Sequence, residues 1–369
     1  MLQGENMTKL DDARQIINEV DKQMAELFER RMFAAKMVAE YKQERGLPIF
    51  DGAREKQVIE KNTAYIQNEA LRSYYVSFLQ HTMDVSKQYQ HRLMEGMRVA
   101  YSGVPGAFAE IAAKKAFPDA TAVAYADFAS AYRAVEDGEC DCAMLPVENS
   151  NNGDVGQVMD LSFFGSLHVN GMYELPVTQN LLTLPTADIS TIKEVISHPQ
   201  ALGQCSEYIA RHGWKEIQCV NTAVAAKMVA ESGRNDIAAI GSADAAERYG
   251  LIVLEPHIQA DSDNTTRFAI FSKSAKSPSA SDSRFVMSFT VNNEAGSLGR
   301  AVSVIGKYGF NLRALKSRPT KALSWEYYFF VEGEGNIHSD KGRKMIEELN
   351  ECCNEVKIIG SFEKETVIK

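Results

Sequence analysis

The stretch ERRMFAAKMVAEYK, residues 29–42, decides how the front of this chain reads. It lies in a helical pattern running from residue 8 to residue 45, with Ile16, Ile17, Val20, Met24, Leu27, Phe28, Ala35, Val38 and Tyr41 at helical spacing and no Gly or Pro before Gly46. Stepping by sevens places Arg31 in register with Ile17, Met24 and Val38, and Lys42 in register with Arg14, Asp21, Phe28 and Ala35. Those registers form an inward seam, so Arg14, Arg31 and Lys42 are cations on a stripe meant for burial. Arg30 and Lys36 lie off both registers and read as solvated.

A buried cation is costly unless it meets an opposite charge. Asp21 offers one partner, and snorkelling along the seam edge is the bland alternative. Three such cations call instead for a pocket that holds a small dianion. Beyond the stretch, Asp51 is placed to cap a second helix within residues 50–67, and residues 69–95 form a third. Ser86 and Gln90, four apart, join the third helix's stripe of Leu71, Tyr75, Phe78, Leu79 and Tyr89. The longest helix is left unpaired over much of its surface, which predicts a helical dimer. The pocket offers no Cys or His nucleophile, no metal-ligand cluster and no phosphate-cradling glycine loop, so its chemistry must run on positioning and electrostatics.

A chain of 369 residues exceeds what one hydrophobic core supports, which predicts two or three domains. Its 40 basic and 49 acidic side chains are spread without long blocks of one sign, which argues against a nucleic-acid or membrane surface. There is no basic, apolar leader and no membrane-spanning run, so a cytoplasmic protein is expected. Cys140, Cys142, Cys205, Cys219, Cys352 and Cys353 are scattered and read as free thiols.

From residue 97 the rhythm changes. MRVAYSG, TAVAYA and CDCAMLPVENS read as strands, separated by the helices AFAEIAAKKAF and DFASAYRAVEDG, and a second alternating set ends at TTRFAIFSK. Such alternation predicts wound parallel α/β lobes with a ligand cleft between them. SAKSPSASDSR, residues 274–284, has linker composition, and residues 285–369 spell βαββαβ, a ferredoxin-like module more often a sensor than a catalyst. The divisions drawn are 1–95, 97–274, a linker at 275–284, and 285–369.

The run Arg14, Arg31, Lys42, Asp51, Arg54, Glu55, Ser86 and Gln90, closed by SKQYQ, resembles the all-helical chorismate mutases and fills every position expected of that family. The resemblance implies a unimolecular Claisen rearrangement of chorismate to prephenate. It assigns Arg31, and Arg14 from a partner subunit, to the two carboxylates, and Lys42 and Gln90 to the ether oxygen. Glu55 and Asp51 fall to the ring hydroxyl and nearby backbone, with Arg54 and Ser86 in support. YSGVPGAFAEIAA, PVENSNNG, SHPQALGQC, IGSADAAERYGL and NTTRF, in this order, resemble the prephenate dehydratases, a two-lobed fold like that of periplasmic binding proteins. That resemblance makes Thr266 the proton donor and Glu148, Asn149, Ser150, Ser197 and Gln204 cleft residues. Arg267 is either a substrate-carboxylate partner or half of a structural ion pair, and His198, before Pro199, reads as structural.

The last segment resembles an ACT domain. Gly296, Ser297 and Leu298 in GSLG, Lys316, Ser317 and Arg318 in KSRP, and Asn311 and Leu312 match the family's phenylalanine site. Lys316 reverses the charge of the family's glutamate, and Ser297 replaces an alanine; a purely architectural dimer module is the alternative. Together the resemblances imply a bifunctional enzyme of phenylalanine biosynthesis, a homodimer or higher oligomer, fed back on by phenylalanine and needing no metal or cofactor. The competing readings are a cytoplasmic small-molecule sensor and a family member with one inactive site.

Overall fold

The computed structural model describes residues 9–261, 263–319 and 327–368. Thr8, read above as the start of the first helix, and residues 320–326 of the βαββαβ segment lie outside the described residues. The chain divides into two units, Met1–Gly96 and Met97–Lys369.

The first unit holds α1 (Lys9–Arg45), α2 (Gly52–Thr63) and α3 (Arg72–Glu95). Asp51 caps α2 through the Arg54 backbone N–H at 3.0 Å. That helix stops four residues short of the pattern read for it, because Asn62 and Thr63 turn their side chains onto the carbonyls of Val58 and Ile59, both at 2.7 Å, competing with the helical ladder. Both α1 and α2 pack on α3. The inward stripe of α3 is Leu79, Met83, Ser86 and Gln90. On α1 it is Arg31, Ala35, Ala39 and Lys42, steps of four, four and three that follow a straight helix rather than strict sevens. Ile17, Met24, Phe28 and Val38, expected on the seam, are exposed. The 24-residue α3 reaches only part of the 37-residue α1, and residues 9–30 are exposed throughout.

The second unit begins with β1 (Arg98–Ser102), α4 (Phe108–Ala116), β2 (Thr121–Tyr125), α5 (Phe128–Glu136), β3 (Cys142–Asn149), β4 (Gly153–Asp154), α6 (Gly156–Phe164) and β5 (His168–Pro176). A second lobe follows: β6 (Asn180–Thr183), β7 (Glu194–Ser197), α7 (Pro199–Gln204), α8 (Ser206–His212), β8 (Lys215–Gln218), α9 (Thr222–Ser232), β9 (Ile237–Gly241), α10 (Ala243–Tyr249) and β10 (Ile252–Glu255). The chain then returns as β11 (Thr265–Ser272), antiparallel to both β3 and β5 in the first lobe's sheet. The sheets are therefore mixed rather than wholly parallel: β1, β2 and β3 run parallel, as do β7, β8 and β9, while β11, β6 and β10 run against their neighbours. The chain leaves the first lobe's sheet at Pro176 and re-enters beside it at Thr265, so β11 runs back against β5.

The remainder is β12 (Arg284–Thr290), α11 (Ser297–Lys307), β13 (Asn311–Pro319), β14 (Tyr327–Glu334), α12 (Asp340–Cys352), β15 (Glu355–Phe362) and β16 (Thr366–Val367). The first four of these strands form an antiparallel sheet in the order β13, β14, β12, β15, and β16 joins β5. One face of the sheet buries Phe285, Met287 and Phe289 against α11 and α12. The other buries Val286, Tyr328 and Phe330 in the same core as Leu145, Val158 and Phe271 of the first lobe. Gly360 is glycine because a Cβ there would run into the Val169 carbonyl of β5. The polar linker is stitched down: Lys276 N–H donates to Asn170 at 2.8 Å, and the buried Asp282 carboxylate pairs with Lys276 Nζ at 2.9 Å. Among the described residues no helix is long and apolar enough to cross a membrane.

Candidate active sites

In the helical unit the seam cations meet neutral oxygens. The Arg31 guanidinium donates to Ser86 Oγ and, at 3.1 Å, to the Thr82 carbonyl, while Ser86 Oγ donates to that carbonyl at 2.9 Å. Lys42 Nζ donates to the Ile49 carbonyl at 2.5 Å. Among the described residues neither cation has a carboxylate partner, and burial pushes the Arg31 pKa down. A half-buried cation without a counter-ion is a place prepared for an anion. Gln90 Nε2 donates to the Ser86 carbonyl at 3.3 Å, leaving its buried Oε1 unpartnered, so donation to a ligand oxygen asks the amide to rotate.

The other predicted residues of this unit lie apart. Glu55 pairs with Lys87 at 2.9 Å, and Lys87 also pairs with Asp84 at 2.9 Å. Burial works against the Lys87 charge, but these two carboxylates prevail and raise its pKa. Lys87 was passed over in the sequence although it follows Ser86, because one residue further on leaves the stripe. Arg54 is exposed on a shallow pocket with Lys61 and Tyr65, not beside Arg31. Arg14 is also exposed, 4.0 Å from Asp11.

The second unit carries a cleft of about 650 Å³ between its lobes. Pairing of β11 with β3 sets Thr266 opposite Asn149, 117 residues earlier in the chain. Asn149 Oδ1 accepts the backbone N–H groups of Asn151 and Asn152 at 3.2 and 3.1 Å, which settles which end of that amide is which. Its Nδ2 therefore donates to Thr266 Oγ at 3.0 Å and to Asn264 Oδ1 at 2.8 Å. The polarity propagates: Asn264 Nδ2 donates to Gln204 Oε1 at 3.1 Å, as does Gln179 Nε2 at 3.2 Å. Thr266 Oγ is thus an acceptor within the protein, and its own hydrogen is free for the cleft it lines.

No Lys or Arg is among the described residues lining this cleft; His198, whose pKa is lowered by burial, is there with Gln200. Positive potential comes instead from helix ends. The first residues of α4, α6 and α9 line the cleft, and α4 and α6 start at Ala107 and Val155 without a side-chain cap, leaving first-turn N–H groups unspent. The opening glycine turn joins the lobes: Gly106, at φ 91°, packs where a Cβ would press on Ala223 and Tyr249, and Tyr249 OH donates to the Pro105 carbonyl at 2.7 Å.

Four expected cleft residues are placed differently. Ser197 is fully buried and donates to the Ile240 carbonyl at 2.7 Å, holding β7 to β9. Arg267 takes the structural alternative, bonding Glu148 at 2.8 Å, Glu332 at 2.9 Å and Glu365 at 3.3 Å, which turns Glu148 away from the cleft as well. Ser150 Oγ accepts the Thr265 N–H at 3.0 Å and shapes the loop beside Thr266. Asn264, one residue outside TTRF, and Gln179 were missed; only the former carried a signal, its place inside the NTTRF motif.

The effector candidates also divide. Gly296 and the buried Ser297 start α11, with Leu298 packed in the module core, and Asn311 bonds Glu334 at 3.0 Å. Leu312 is partly buried in that core, while Ser317 is exposed on β13. Lys316 and Arg318 are instead engaged with the first lobe, through Glu148 and Asp154 and through Asp160.

Comparison with known proteins bears on both sites. A chorismate mutase type II family model matches residues 13–91, and a prephenate dehydratase model matches residues 99–276. The bifunctional chorismate mutase/prephenate dehydratase of Aquifex aeolicus is 30% identical over 369 residues, spanning 97% of this chain and 99% of that one. The chain belongs to the bifunctional chorismate mutase/prephenate dehydratase family. Among solved structures, a prephenate dehydratase from Arthrobacter aurescens in complex with L-Phe superposes with a TM-score of 0.68 at 26% identity, covering 73% of this chain and 90% of that one. A protein described as a quorum-quenching acylase matches with the same TM-score at 30% identity, over 72% of this chain and 97% of its own. Most of the second unit's fold is thus shared by proteins described differently, and the pairing with the helical unit is what marks this family.

Burial pushes the Glu148 carboxyl up, but Arg267 and Lys316 override it and hold it below the usual range; for Glu365, its backbone hydrogen bond and the Arg313 and Arg267 charges do the same. A carboxyl depressed in the folded state contributes stability that is complete above its unfolded pKa and lost as pH falls through the folded value. The melting temperature of the protein is therefore expected to fall as pH drops below about 4.5, and Arg267→Met to weaken that acid dependence. An acid limb unchanged in the variant would show that the network does not set it.

Proposed function

We infer that this chain rearranges chorismate to prephenate in its helical unit and converts prephenate to phenylpyruvate in the two-lobed cleft, consecutive steps of phenylalanine biosynthesis. The observation that carries the reading is the pair of complementary sites: half-buried cations held only by neutral oxygens in one, and a threonine left as a donor in the other.

The rearrangement moves no proton, so the helical site needs only to hold a folded dianion and stabilise charge as the ether bond breaks. Arg31 would take a carboxylate in place of its bond to Ser86. Lys42, and Gln90 after rotation of its amide, would face the ether oxygen. Glu55, steadied by Lys87, would meet the ring hydroxyl; Asp51, Arg54 and Ser86 would shape the surroundings. In the cleft, the unspent helix N–H groups and neutral amides would bind the carboxylates of prephenate. As the ring carboxylate leaves as carbon dioxide, its bonding pair completes the aromatic ring and the ring hydroxyl departs. Thr266 would pass its proton to that hydroxide, making water, and regain one from solvent. Lys42→Ala is expected to cut chorismate consumption by about 10²- to 10³-fold and leave prephenate turnover intact. Thr266→Ala should do the reverse, by about 10²- to 10⁴-fold. Loss of both activities, or of neither, in separate assays of the two substrates would sink the assignment.

The helical unit buries few apolar side chains, Ala35, Ala39, Ile49, Leu79 and Met83 among the described residues, while Ile16 at 62% and Leu27 at 58% exposure stand open. So small a core cannot offset the ordering of three helices. We read the functional form as a cytoplasmic homodimer in which Arg14 of one copy completes the pocket of the other. Co-expressed Arg14→Ala and Lys42→Ala chains are then expected to recover mutase activity that each lacks alone, since one site of the mixed dimer has both residues. No recovery, with mixed dimers shown by mass, would place Arg14 in its own chain's site.

Phenylalanine is the proposed effector of the last module, at Gly296, Ser297, Leu298, Asn311 and Leu312; the relative from Arthrobacter aurescens was solved with that ligand. Calorimetric titration is expected to show binding, accompanied by lower dehydratase activity. An absence of heat at millimolar phenylalanine would leave the module architectural.

A further inference from the structure

One helix of the dehydratase cleft, α6, packs its apolar side on β3 and α5 of its own lobe and is gripped at both ends from outside that lobe. The first turn of α6, at Val155, Gly156 and Gln157, lines the cleft and presents uncapped N–H groups there. That polar grip comes from the βαββαβ module. On β13, Arg318 makes a two-pronged pair with Asp160 of α6, Nε at 2.7 Å and Nη2 at 2.9 Å, and Tyr328 OH of β14 donates to the same carboxylate at 2.8 Å. A Cβ on Gly156 would collide with the Arg318 guanidinium, so the helix start lies directly against it. Two residues earlier on β13, Lys316 pairs with Asp154, just before α6, and with Glu148 at 3.4 Å. At the other end, Lys357 of β15 donates to the free carbonyls of Ser162 and Phe163, both at 2.9 Å, and of Gly165. Between the two ends Phe163 stacks on Tyr328, with ring centroids 4.1 Å apart.

We propose that Lys316, Arg318 and Lys357 are positioning residues of the dehydratase reaction, clamping α6 at both ends so that its N-terminus stays aimed into the cleft. The charge at position 316 is specific to this arrangement. A glutamate, which the related motif carries there, would face Glu148 and Asp154 as a third anion. In this chain the second strand of the module thus braces the neighbouring lobe directly, behind the helix that lines the site.

The inference rests on the cleft being where prephenate reacts, and the test keeps the two apart. The full chain would be compared with Lys316→Glu, Arg318→Met, Lys357→Met and the conservative Lys357→Arg, measuring kcat and KM for prephenate without phenylalanine. Circular dichroism and the melting transition of the same samples report whether the second unit is folded, and chorismate mutase activity serves as the internal standard for enzyme concentration. A helix terminus binds a substrate carboxylate in ground and transition state alike. Lys316→Glu, Arg318→Met and Lys357→Met are therefore expected to raise KM by about three- to tenfold with a smaller change in kcat, and Lys357→Arg to restore it. Should Arg318→Met not fold, Asp160→Asn removes the same pair at nearly constant shape and is expected to raise KM likewise. Folded variants with KM within twofold of the parent would overturn the clamp. A parent chain that binds and turns over chorismate but not prephenate would overturn the reading beneath it.

Discussion

Three parts of the second unit meet at Arg267. Its guanidinium is enclosed by Glu148 of β3, Glu332 of β14 and Glu365 near the chain's end, so one side chain ties the first lobe, the βαββαβ module and the last strand together. Burial alone would disfavour its charge, yet the surrounding carboxylates more than reverse that and raise its pKa. A largely enclosed cation with three anionic partners tolerates little displacement, since moving any of them leaves a charge uncompensated. Thr266 is the preceding residue on β11 and faces the cleft as Arg267 faces the network. The strand's alternation converts a rigid ionic anchor on one side into a fixed hydroxyl on the other.

The two proposed sites would hold acidic ligands by different physics. On the helices, Arg31 and Lys42 are discrete charges with neutral neighbours, suited to a reaction in which charge only redistributes. In the cleft, the described lining has neither Lys nor Arg, and helix termini with oriented amides take their place. A fixed cation close to the ring would hold back the carboxylate that must leave as neutral carbon dioxide. Dipoles bind a carboxylate without opposing its departure as strongly, because their field falls off within the first turn.

Much of this architecture is legible in the residues alone. The three helices, the cap at Asp51 and the order of strands and helices in the later segments follow from periodicity and turn chemistry, which are local. Arg31, Ser86 and Gln90 were found together because two inward stripes on neighbouring helices must face each other. The strict-sevens seam failed for Ile17, Met24, Phe28 and Val38, since heptad counting says which residues share a face and not what covers it. Ser197 and Glu148 were misplaced for a related reason: a polar residue at a strand end can point to the cleft, to a neighbouring strand or to an ion pair with equal ease. Gln179 carried no local signal at all.

By itself the sequence determined which segments are helix or strand, which faces want burial, and which residue types are available for an acid, an amide or a cation. The tertiary structure alone decided that β11 returns between β3 and β5, setting Thr266 beside Asn149 across 117 residues, and that Lys316 and Arg318 meet Asp154 and Asp160 of another lobe. Periodicity is written into each segment, whereas the partner of a charge or a hydroxyl depends on where distant strands are laid down. Those pairings emerge only when the sheets close and each buried polar group must find its complement.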